Sequence, residues 1–480
     1  MSLPTDGKAL WPPQGAMPAA IHTWRAWYRG SRDRLTADAM PPQVAHPKFP
    51  FFWKRQRVEK LIRQAPPVHM PLAAEIAQTS ADLLFGTMPE LQVREEAQQR
   101  LDELAAETGL ANGLLEAAEV CAAVGGVFLR VSWDTEVADT PFLTSIAADH
   151  AAPEFAYGKL RAVTFWRELT PLGKGIWRHV ERHEAGVILH GLYVGDKTHL
   201  GDRGGLDEHE DTRDLPPVIE LPDGLPELLV WHVPNIRPLP ESSGSPHGRA
   251  DIAGSEAMLD ALDETMSSWT RDLRLGKTRI LVPHDALEHG GAERGSGMFF
   301  DADREVFTEL HGMDPGQMGI VVHQPQIRAT EHEQTAERLI ESIISRAGYS
   351  PQTFGLRIEG RAESGTALRI REAKTYQTLD RKRRYWAPPL KSALEALLAV
   401  DRVIFKRRTI VETPVLVWPE PQATAQETAQ TLALLRSAEA VSTETAVRMA
   451  QPDMDDEGVA EEVARIQAES ARAPLAGPEF

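Results

Sequence analysis

The sequence contains a single cysteine, Cys121, among its 480 residues. One thiol excludes an intramolecular disulfide and a zinc site built from several thiolates. The longest uninterrupted apolar run, Val120 to Leu129, is far shorter than the roughly 20 residues that cross a bilayer. The N-terminus has no basic segment followed by an apolar one, so no secretory signal is visible. These absences favour a protein of the cytoplasm, or of a particle assembled there, with no membrane contact.

Basic residues are also fewer than acidic residues. The chain has 52 Lys and Arg residues against 70 Asp and Glu residues, which gives a formal net charge of −18. Proteins that grip duplex DNA usually carry a basic excess, because Lys and Arg neutralise phosphates. An acidic balance is common among soluble proteins, and by itself this is the interpretation we favour. If the chain meets DNA, we expect it to pass the DNA along rather than hold it.

The composition that remains is that of a folded protein. Hydrophobic residues make up 42% of the chain and charged residues 25%, which argues against global disorder. A chain of 480 residues is too long for one core of ordinary size. The sequence therefore predicts two or more folded domains.

The first half combines helices and strands. Residues 1–50 are rich in Pro and Gly, lack a clear period and predict an extended arm. Helical spacing of apolar residues begins after Pro71, and a helical break is expected at Gly109. Alternating patterns then predict strands, which a meander would connect. The predicted strands cover residues 160–168, 175–184 and 187–195.

The second half is mainly helical. Apolar stripes predict helices over 253–277 and 329–348, with short β segments between them. A long polar helix is expected from about Thr366, and Pro388 with Pro389 should kink or interrupt it. The Ala-rich tail also predicts helices. The expected fold class is α+β, mainly helical, with long helices and small β modules.

Sequence motifs for catalysis or cofactors fail on inspection. Gly276-Lys277-Thr278 lacks the earlier glycine of a phosphate-binding loop, and it follows a predicted helix rather than a strand. His179 and His183 are four residues apart, but they lie in a predicted strand, where this spacing does not make one helical face. We therefore expect no catalytic residues, no metal site and no cofactor.

Three stretches resemble the portal proteins of tailed bacteriophages, especially those of the long-tailed phages. The first is Leu72–Pro89 (LAAEIAQTSADLLFGTMP), which is similar to an early portal helix. The second is Leu273–Pro283 (LRLGKTRILVP), a helix that enters a small β module. The third and most specific is Ala347–Gly355 (AGYSPQTFG), followed by Glu363–Glu372 (ESGTALRIRE) and a long polar helix. The resemblance covers roughly residues 70–420.

This resemblance implies a ring, typically of about twelve subunits, with parts called wing, stem, clip and crown. It implies a position at the portal vertex of a virion, after assembly in the host cytoplasm. The implied partners are double-stranded DNA, bound transiently and without sequence specificity, the large terminase, a head–tail connector or adaptor, and the capsid protein. By chain order, the parts are the wing (1–252 with an arm at 1–50, and 366–420), two stem helices (253–277 and 329–348), the clip (278–328), a tunnel loop (349–365) and a helical crown (421–480).

The resemblance also suggests site residues. In the loop that would project into the channel, Phe354, Arg357 and Arg361 are candidates for contact with DNA, although a solvated loop charge is the plainer interpretation of each arginine. In the clip, Met298, Phe299 and Phe300 are candidates for partner docking, with core packing as the alternative. The densest basic run is Arg381-Lys382-Arg383-Arg384. It could face DNA, but a solvated helix face or ion pairs between subunits is the interpretation we favour.

Two other classes of function stay open. One is a different structural protein of the virion or of head assembly. The other is an enzyme, such as a hydrolase or a nucleotidyltransferase, whose site escapes motif analysis. No local arrangement pairs a nucleophile with a base, which disfavours the enzyme. Oligomeric state separates the classes, because a ring with an open bore fits the portal hypothesis best.

Overall fold

We describe the fold from a computed structural model of the chain. Among the residues that the structure describes, 48% are in helices and 20% in strands, which confirms the predicted α+β class that is mainly helical. The chain divides into two units, which are residues 1–358 with 372–416 and residues 359–371 with 417–480. The structure describes residues 3–4, 10–13, 15–31, 68–240, 242, 244–276, 279–281, 288–289, 298–299, 321–323, 326–356, 365–419, 425–438, 440–451 and 454–472.

The elements of this described part are numbered in chain order. The helices are α1 (Ala16–Arg29), α2 (Leu72–Phe85), α3 (Glu95–Glu107), α4 (Leu110–Val124), α5 (Glu256–Leu275), α6 (Ala329–Ala347), α7 (Gly365–Val403), α8 (Ala425–Ser437), α9 (Thr443–Ala450) and α10 (Asp456–Arg472). The strands are β1 (Glu90–Gln92), β2 (Gly126–Ser132), β3 (Phe142–Ala147), β4 (Ala151–Ala156), β5 (Lys159–Glu168), β6 (Ile176–Glu184), β7 (Val187–Gly195), β8 (Asp202–Gly204), β9 (Val218–Glu220), β10 (Val230–Pro234), β11 (Arg279–Leu281), β12 (Glu288–His289), β13 (Met298–Phe299), β14 (Val321–His323) and β15 (Val415–Val417). Short 3₁₀ turns occur at Ala148–His150, Leu206–Glu208 and Pro351–Phe354.

Helix α1 lies inside the segment 1–50, so the predicted extended arm is wrong for this stretch. The buried face of the helix includes Ile21, Trp24 and Trp27, which are spaced three residues apart and pack into the main hydrophobic core. Burying each of these side chains stabilises the fold by about 1.5–3 kcal/mol. The helix escaped prediction because its periodic stretch is short and lies between proline and glycine residues.

Helices α2 and α4 pack against each other and against α1. The predicted break at Gly109 is confirmed, because this residue separates α3 from α4 with a φ of 61°. Gly125 ends α4 with a φ of 87°, and β2 begins at the next residue. A side chain at Gly125 would place its Cβ 2.9 Å from the carbonyl oxygen of Gly248. The chain can therefore turn from helix to strand here only with glycine.

The largest sheet is an antiparallel meander of β4, β5, β6, β7 and β8, and β9 pairs with the start of β7. The strands predicted over 160–168, 175–184 and 187–195 are confirmed to within one residue at each end. β3 and β4 were not expected. β3 shows almost no alternation of buried and exposed residues, so the sequence pattern carries no signal for it.

A second sheet, in the order β10–β2–β3, faces the meander. Phe128 and Val230 from the small sheet pack with Val163 and Phe165 from the meander in one buried cluster. Alternate residues of a strand point to opposite faces. Val180, on the opposite face of the meander, therefore packs against the N-terminal residues Leu3 and Trp11 and against Tyr193 and Leu200.

Helices α5 and α6 form an antiparallel pair. At one end, the carboxylate of Asp272 accepts a hydrogen bond from Arg328 Nη2 at 2.9 Å and lies 3.0 Å from His332 Nε2. At the other end, the Arg346 guanidinium lies beside Gly254, where an added Cβ would come within 2.6 Å of it. Strands β11 and β14 pair with each other, and in chain order β11 follows α5 and β14 precedes α6. The chain therefore leaves and re-enters the helix pair at the end where Asp272 meets Arg328.

The helices predicted over 253–277 and 329–348 are present within those limits, as α5 and α6. The sequence predicts a kink or an interruption at Pro388 and Pro389. The long helix α7 continues through both prolines, so the interruption is wrong, and the kink stays a prediction. A buried apolar stripe that includes Trp386 and Leu390 runs past the two prolines. We infer that packing along this stripe stabilises the helix enough to offset the lost backbone hydrogen bonds.

The end of α7 is held by a buried carboxylate. Asp401 is fully buried, and its oxygens accept hydrogen bonds from Arg100 Nε at 3.0 Å and Arg100 Nη2 at 2.9 Å. Thr409 donates a further hydrogen bond to the same carboxylate. Because Arg100 belongs to α3, this pair fixes the C-terminal end of the long helix against the helical layer.

In the described part of 417–480, the helices α8, α9 and α10 follow one another, and each packs against the next. The helical tail expected from the sequence is therefore confirmed. Ser442 caps α9 by accepting a hydrogen bond from the backbone N–H of Thr445. Arg448 near the end of α9 lies 2.7 Å from Asp456 Oδ1 at the start of α10.

Candidate functional site

The segment 348–356 joins α6 to the approach to α7, and its first residues are held firmly. Gly348 ends α6 with a φ of 99°, and an added Cβ would lie 2.6 Å from Thr378 Oγ1. Thr378 Oγ1 donates to the Gly348 carbonyl at 2.6 Å. One turn earlier in α7, Thr375 Oγ1 accepts from the Ser350 backbone N–H at 2.8 Å. The base of the segment is thus fastened to one face of α7.

Beneath this segment lies a buried ion pair. Lys382 on α7 is 2% exposed and Asp251 is 1% exposed, and Lys382 Nζ lies 2.8 Å and 2.7 Å from the two carboxylate oxygens. The same ammonium donates to Ser80 Oγ on α2 at 2.5 Å. Asn235 Nδ2 donates to Asp251 Oδ1 at 2.7 Å. Both charges therefore have hydrogen-bonding partners, which buried charges require.

Tyr349 connects this ion pair to the segment above it. Its phenol donates to Asp251 Oδ2 at 2.8 Å, and its ring lies 5.7 Å from Lys382 Nζ. Burial, reinforced by the charge of Asp251, raises the pKa of Tyr349 well above its ordinary value. The phenol therefore remains a neutral donor across the physiological range.

The cluster Ser80, Asn235, Asp251, Tyr349 and Lys382 brings five parts of the chain to one point. These parts are α2, the residue after β10, the turns that precede α5, the second residue after α6, and the middle of α7. We call this set the buried polar hub. It can position the start of the 348–356 segment relative to both neighbouring helices.

Phe354 is the one predicted DNA-contact residue in the described part of the chain. It ends the 3₁₀ turn, its side chain is half-buried against the main core, and its ring centroid lies 6.0 Å from that of Tyr349. Gly355 follows with a φ of 73°. Arg357 and Arg361 lie outside the described residues. The structure thus places Phe354 at the point where the fastened segment ends, and its role with DNA stays a prediction.

The predicted docking residues lie between β11 and β14. Met298 and Phe299 form β13, which pairs with Glu288 and His289 of β12. Their side chains, like all of Phe300, lie outside what the structure describes. Their role in partner docking also stays a prediction.

The residues of the basic run in α7 differ in their burial. Arg381 and Arg384 are exposed, whereas Lys382 is buried in the hub. The favoured interpretation of the run, a solvated helix face or ion pairs between subunits, is therefore wrong for Lys382. A lysine turned into the core was not anticipated, because a run of four bases suggests one exposed surface.

A signal for the hub was nevertheless present in the sequence. Lys382 falls three residues after Leu379, four before Trp386 and eight before Leu390, which places it on the apolar stripe of the helix. A charged residue on such a stripe must find a buried partner. The sequence could not identify that partner, since Asp251 lies 131 positions away.

The described residues contain no group of three or more His, Cys, Asp or Glu side chains placed to bind a metal ion. None of the helices in the described part combines the length and the apolarity needed to cross a bilayer. The single cysteine is buried, and burial raises its pKa above the ordinary thiol value. It is therefore a packing residue rather than a nucleophile.

Comparisons with known proteins define the family. Among curated proteins, none matches the chain significantly. Among solved structures, the chain is similar to one from the virion of a native gene transfer agent particle, with a TM-score of 0.40 and 14% identity over 88% of this chain and 98% of that chain. Two others are from the neck of the empty particle computed with C6 symmetry, with a TM-score of 0.39 and 14% identity over 82% and 97% of the two chains, and from the neck of the native particle computed with C12 symmetry, with a TM-score of 0.37 and 14% identity over 82% and 98%.

A family model described as phage portal protein, SPP1 Gp6-like, matches residues 220–474. The matched range includes α5, α6, the segment 348–356, α7 and the helices of the second unit. It also includes Asp251, Tyr349 and Lys382 of the buried polar hub. The match spans more than half of the chain, and the chain therefore belongs to the SPP1 Gp6-like family of phage portal proteins.

Proposed function

We propose that this chain forms a ring of about twelve copies at one vertex of a phage capsid and passes double-stranded DNA through its bore. The observation that carries the proposal is the family match over residues 220–474. In this proposal DNA passes inward during packaging and outward during ejection. The ring acts in the virion, after assembly in the host cytoplasm, and it has no catalytic site or cofactor of its own.

The antiparallel pair α5–α6 supports a stem. Since α5 runs into β11 and β14 runs into α6, residues 278–328 begin and end at the same end of the pair. We assign this segment to the clip, where Met298, Phe299 and Phe300 would contact the large terminase during packaging and the head–tail connector afterwards. Residues 1–252 and 366–420 would form the wing beside the capsid protein, and 421–480 the crown.

The fastened segment 348–356 supports a tunnel loop over 349–365. A loop that touches moving DNA needs a base that does not move with it, and the hub together with Thr375 and Thr378 supplies such a base. Phe354 would mark the end of the fixed part, and Arg357 and Arg361 would touch passing phosphates. The net charge of −18 for each copy limits lasting adhesion of DNA to the ring.

Packaging assays test the role of the loop. We expect Arg357→Ala together with Arg361→Ala to lower the fraction of DNA-filled heads by about two- to ten-fold, because each lost phosphate contact recurs in every subunit. Rings should still assemble, since neither arginine belongs to the hub. Filled and empty heads can be counted after gradient sedimentation.

Arg203→Ala is the control for this experiment. Arg203 is an exposed arginine in β8, within the proposed wing and far along the chain from the loop. It should leave the filled fraction unchanged. Normal filling by the double loop variant would show that these two arginines do not contact DNA.

The alternative functions predict different outcomes. If the chain were another structural protein of the head, substitutions in it would not change the amount of DNA that enters assembled heads. An enzyme would lose activity in solution on point substitution without any change in ring assembly. Neither alternative accounts for the family match over the proposed stem, loop and crown.

A further inference from the structure

A cleft of about 530 Å³ opens where the meander meets the small sheet. It lies within the first unit and has no part in the hub or in the 348–356 segment. Its volume falls in the range of small-molecule sites. Its lining combines polar residues (Arg130, Ser145, His150, Arg167, His179, Glu181 and His190) with apolar residues (Ile146, Ala147, Phe165, Trp166 and Leu215).

The register of the meander brings four polar residues of the lining together. Arg167 of β5 pairs with His179 of β6, and Glu181 of β6 pairs with His190 of β7. Paired residues and residues two apart on a strand share one face of a sheet. The floor of the cleft is therefore set by three adjacent strands, which makes it a rigid surface rather than a loop arrangement.

Among the described residues that line the cleft, Glu181 is the only carboxylate, and its charge already has partners. Arg130 Nη1 donates to the two oxygens of Glu181 at 2.6 Å and 2.8 Å, and His183 Nε2 lies 2.5 Å from Glu181 Oε1. These two partners hold the pKa of Glu181 far below its ordinary value despite its burial. Glu181 is thus a fixed anion that faces Arg130 and His183, and it is not a general acid.

His179 and His190 form a hydrogen-bonded pair beside this anion. Both residues are 6% exposed, His179 Nε2 lies 3.1 Å from His190 Nδ1, and the rings stack with centroids 5.2 Å apart. Within the described residues, the second nitrogen of each ring has no protein partner. A neutral pair offers one donor and one acceptor on these outer nitrogens, whichever tautomer is present. A protonated pair offers two donors.

The charges around the pair explain why it is neutral without a ligand. Burial lowers the pKa of His179 to about 4, and the neighbouring charges of Arg167 and Arg130 act in the same direction. Burial also lowers the pKa of His190. The negative charge of Glu181 raises the pKa of both histidines, but this carboxylate is already paired with Arg130 and His183. An added anion would supply the missing counter-charge and favour protonation of the pair.

We propose that this cleft binds a monocarboxylate with an apolar body, and that the His179–His190 pair takes up one proton as the carboxylate binds. The carboxylate would accept hydrogen bonds from the outer ring nitrogens and from Arg167, which is exposed. The apolar body would lie against Phe165, which shares the face of the histidine pair, and against Ile146. This site is independent of the proposed passage of DNA.

The balance of charge favours a carboxylate over a phosphate. Arg130 and Glu181 cancel, so Arg167 and one proton on the histidine pair supply the net positive charge. A phosphate dianion would lie beside the fixed charge of Glu181 and would leave the apolar residues of the lining without a contact. A carboxylate attached to an aromatic or aliphatic group contacts both the polar and the apolar residues.

Calorimetry on the full-length protein with benzoate tests the proposal. We expect a dissociation constant of about 1 mM or tighter at pH 5.5, the range for a well-placed ligand of this size. The His179–His190 pair is neutral without a ligand and protonated with benzoate bound. The affinity for benzoate should therefore fall by about ten-fold for each pH unit above pH 5.5. N-acetylphenylalanine carries a carboxylate and an aromatic ring in the arrangement found at the C-terminal end of a peptide. Comparing its affinity with that of benzoate shows whether a small free acid or a peptide C-terminus fits better.

Two variants and a control locate the site. Arg167→Gln should weaken benzoate binding at least about five-fold, the equivalent of one charged hydrogen bond. His190→Asn should abolish the dependence on pH while leaving a weak, constant affinity. Arg161→Gln, an exposed arginine on the same strand outside this cleft, should bind as the unchanged protein does.

Several results would overturn the proposal. These are no binding of benzoate or N-acetylphenylalanine at any pH, binding of benzyl alcohol as tight as that of benzoate, tighter binding of inorganic phosphate, and equal losses in Arg167→Gln and Arg161→Gln. Circular dichroism shows whether His190→Asn folds. If it does not, the comparison of the two arginine variants decides, since both positions are exposed.

Discussion

Replacing Lys382 with methionine is expected to lower the free energy of unfolding by about 3–5 kcal/mol, because it leaves a buried carboxylate without its counter-charge. Methionine is unbranched and only one atom shorter than lysine, so packing against the neighbouring helices changes little. Asp251 would retain only the hydrogen bonds from Asn235 and Tyr349, which are neutral donors. Denaturant unfolding followed by circular dichroism gives the change directly.

Arg381→Met is the matched control. Arg381 precedes Lys382 on the same helix, but it is exposed, so its loss should leave the unfolding midpoint unchanged. The double variant Lys382→Met with Asp251→Asn should recover part of the lost stability, since it removes both charges. Equal midpoints for Lys382→Met and Arg381→Met would contradict the buried ion pair. A double variant less stable than Lys382→Met would also count against it.

Replacing Asp401 with asparagine is expected to lower the free energy of unfolding by about 2–3 kcal/mol, the usual value for a lost hydrogen bond to a charged group. The substitution keeps the shape of the side chain but removes the charge that faces Arg100. The C-terminal end of α7 would then be held by weaker hydrogen bonds alone.

The same variant should change how stability depends on pH. Hydrogen bonds from Arg100 and Thr409 outweigh burial and lower the pKa of Asp401 below its ordinary value. A lowered folded-state pKa contributes stability that is present above the unfolded pKa and is lost as pH falls through the folded pKa. Asp401→Asn should therefore destabilise the protein at pH 7 and become nearly neutral in acid.

Glu103→Ala is the control for this prediction. Glu103 also contacts Arg100, at 2.9 Å, but it lies at the surface on the same helix. Exposed ion pairs contribute little to the free energy of unfolding, so Glu103→Ala should unfold at the same denaturant concentration as the unchanged protein. If the two variants were equally destabilised at pH 7, burial of Asp401 would not be the cause.

The sequence predicted the elements that have clear periods. The meander strands have alternating patterns, and α5 and α6 have apolar stripes bounded by glycine residues, so their positions followed from local rules. Helix α1 was missed because its stripe of Ile21, Trp24 and Trp27 is short. β3 was missed because it is half-buried on both faces. These failures arise from tertiary packing, which a local pattern does not record.

The candidate sites were less predictable than the fold. Phe354 was singled out by resemblance, and the structure shows what holds the segment that leads to it. The hub itself joins residues up to 302 positions apart, so no local motif could reveal it. The histidine cleft is a similar case. His179 and His183 were noted as a pair, whereas the partner that His179 contacts is His190, on the next strand.

The central claim is that copies of this chain assemble into a closed ring with an open bore. Electron microscopy of the purified protein, with mass measured by light scattering across a series of salt and protein concentrations, tests it most directly. The account predicts rings of about twelve copies whose bore admits duplex DNA. A chain that stayed monomeric or dimeric under every condition, or that formed closed particles without a bore, would contradict it.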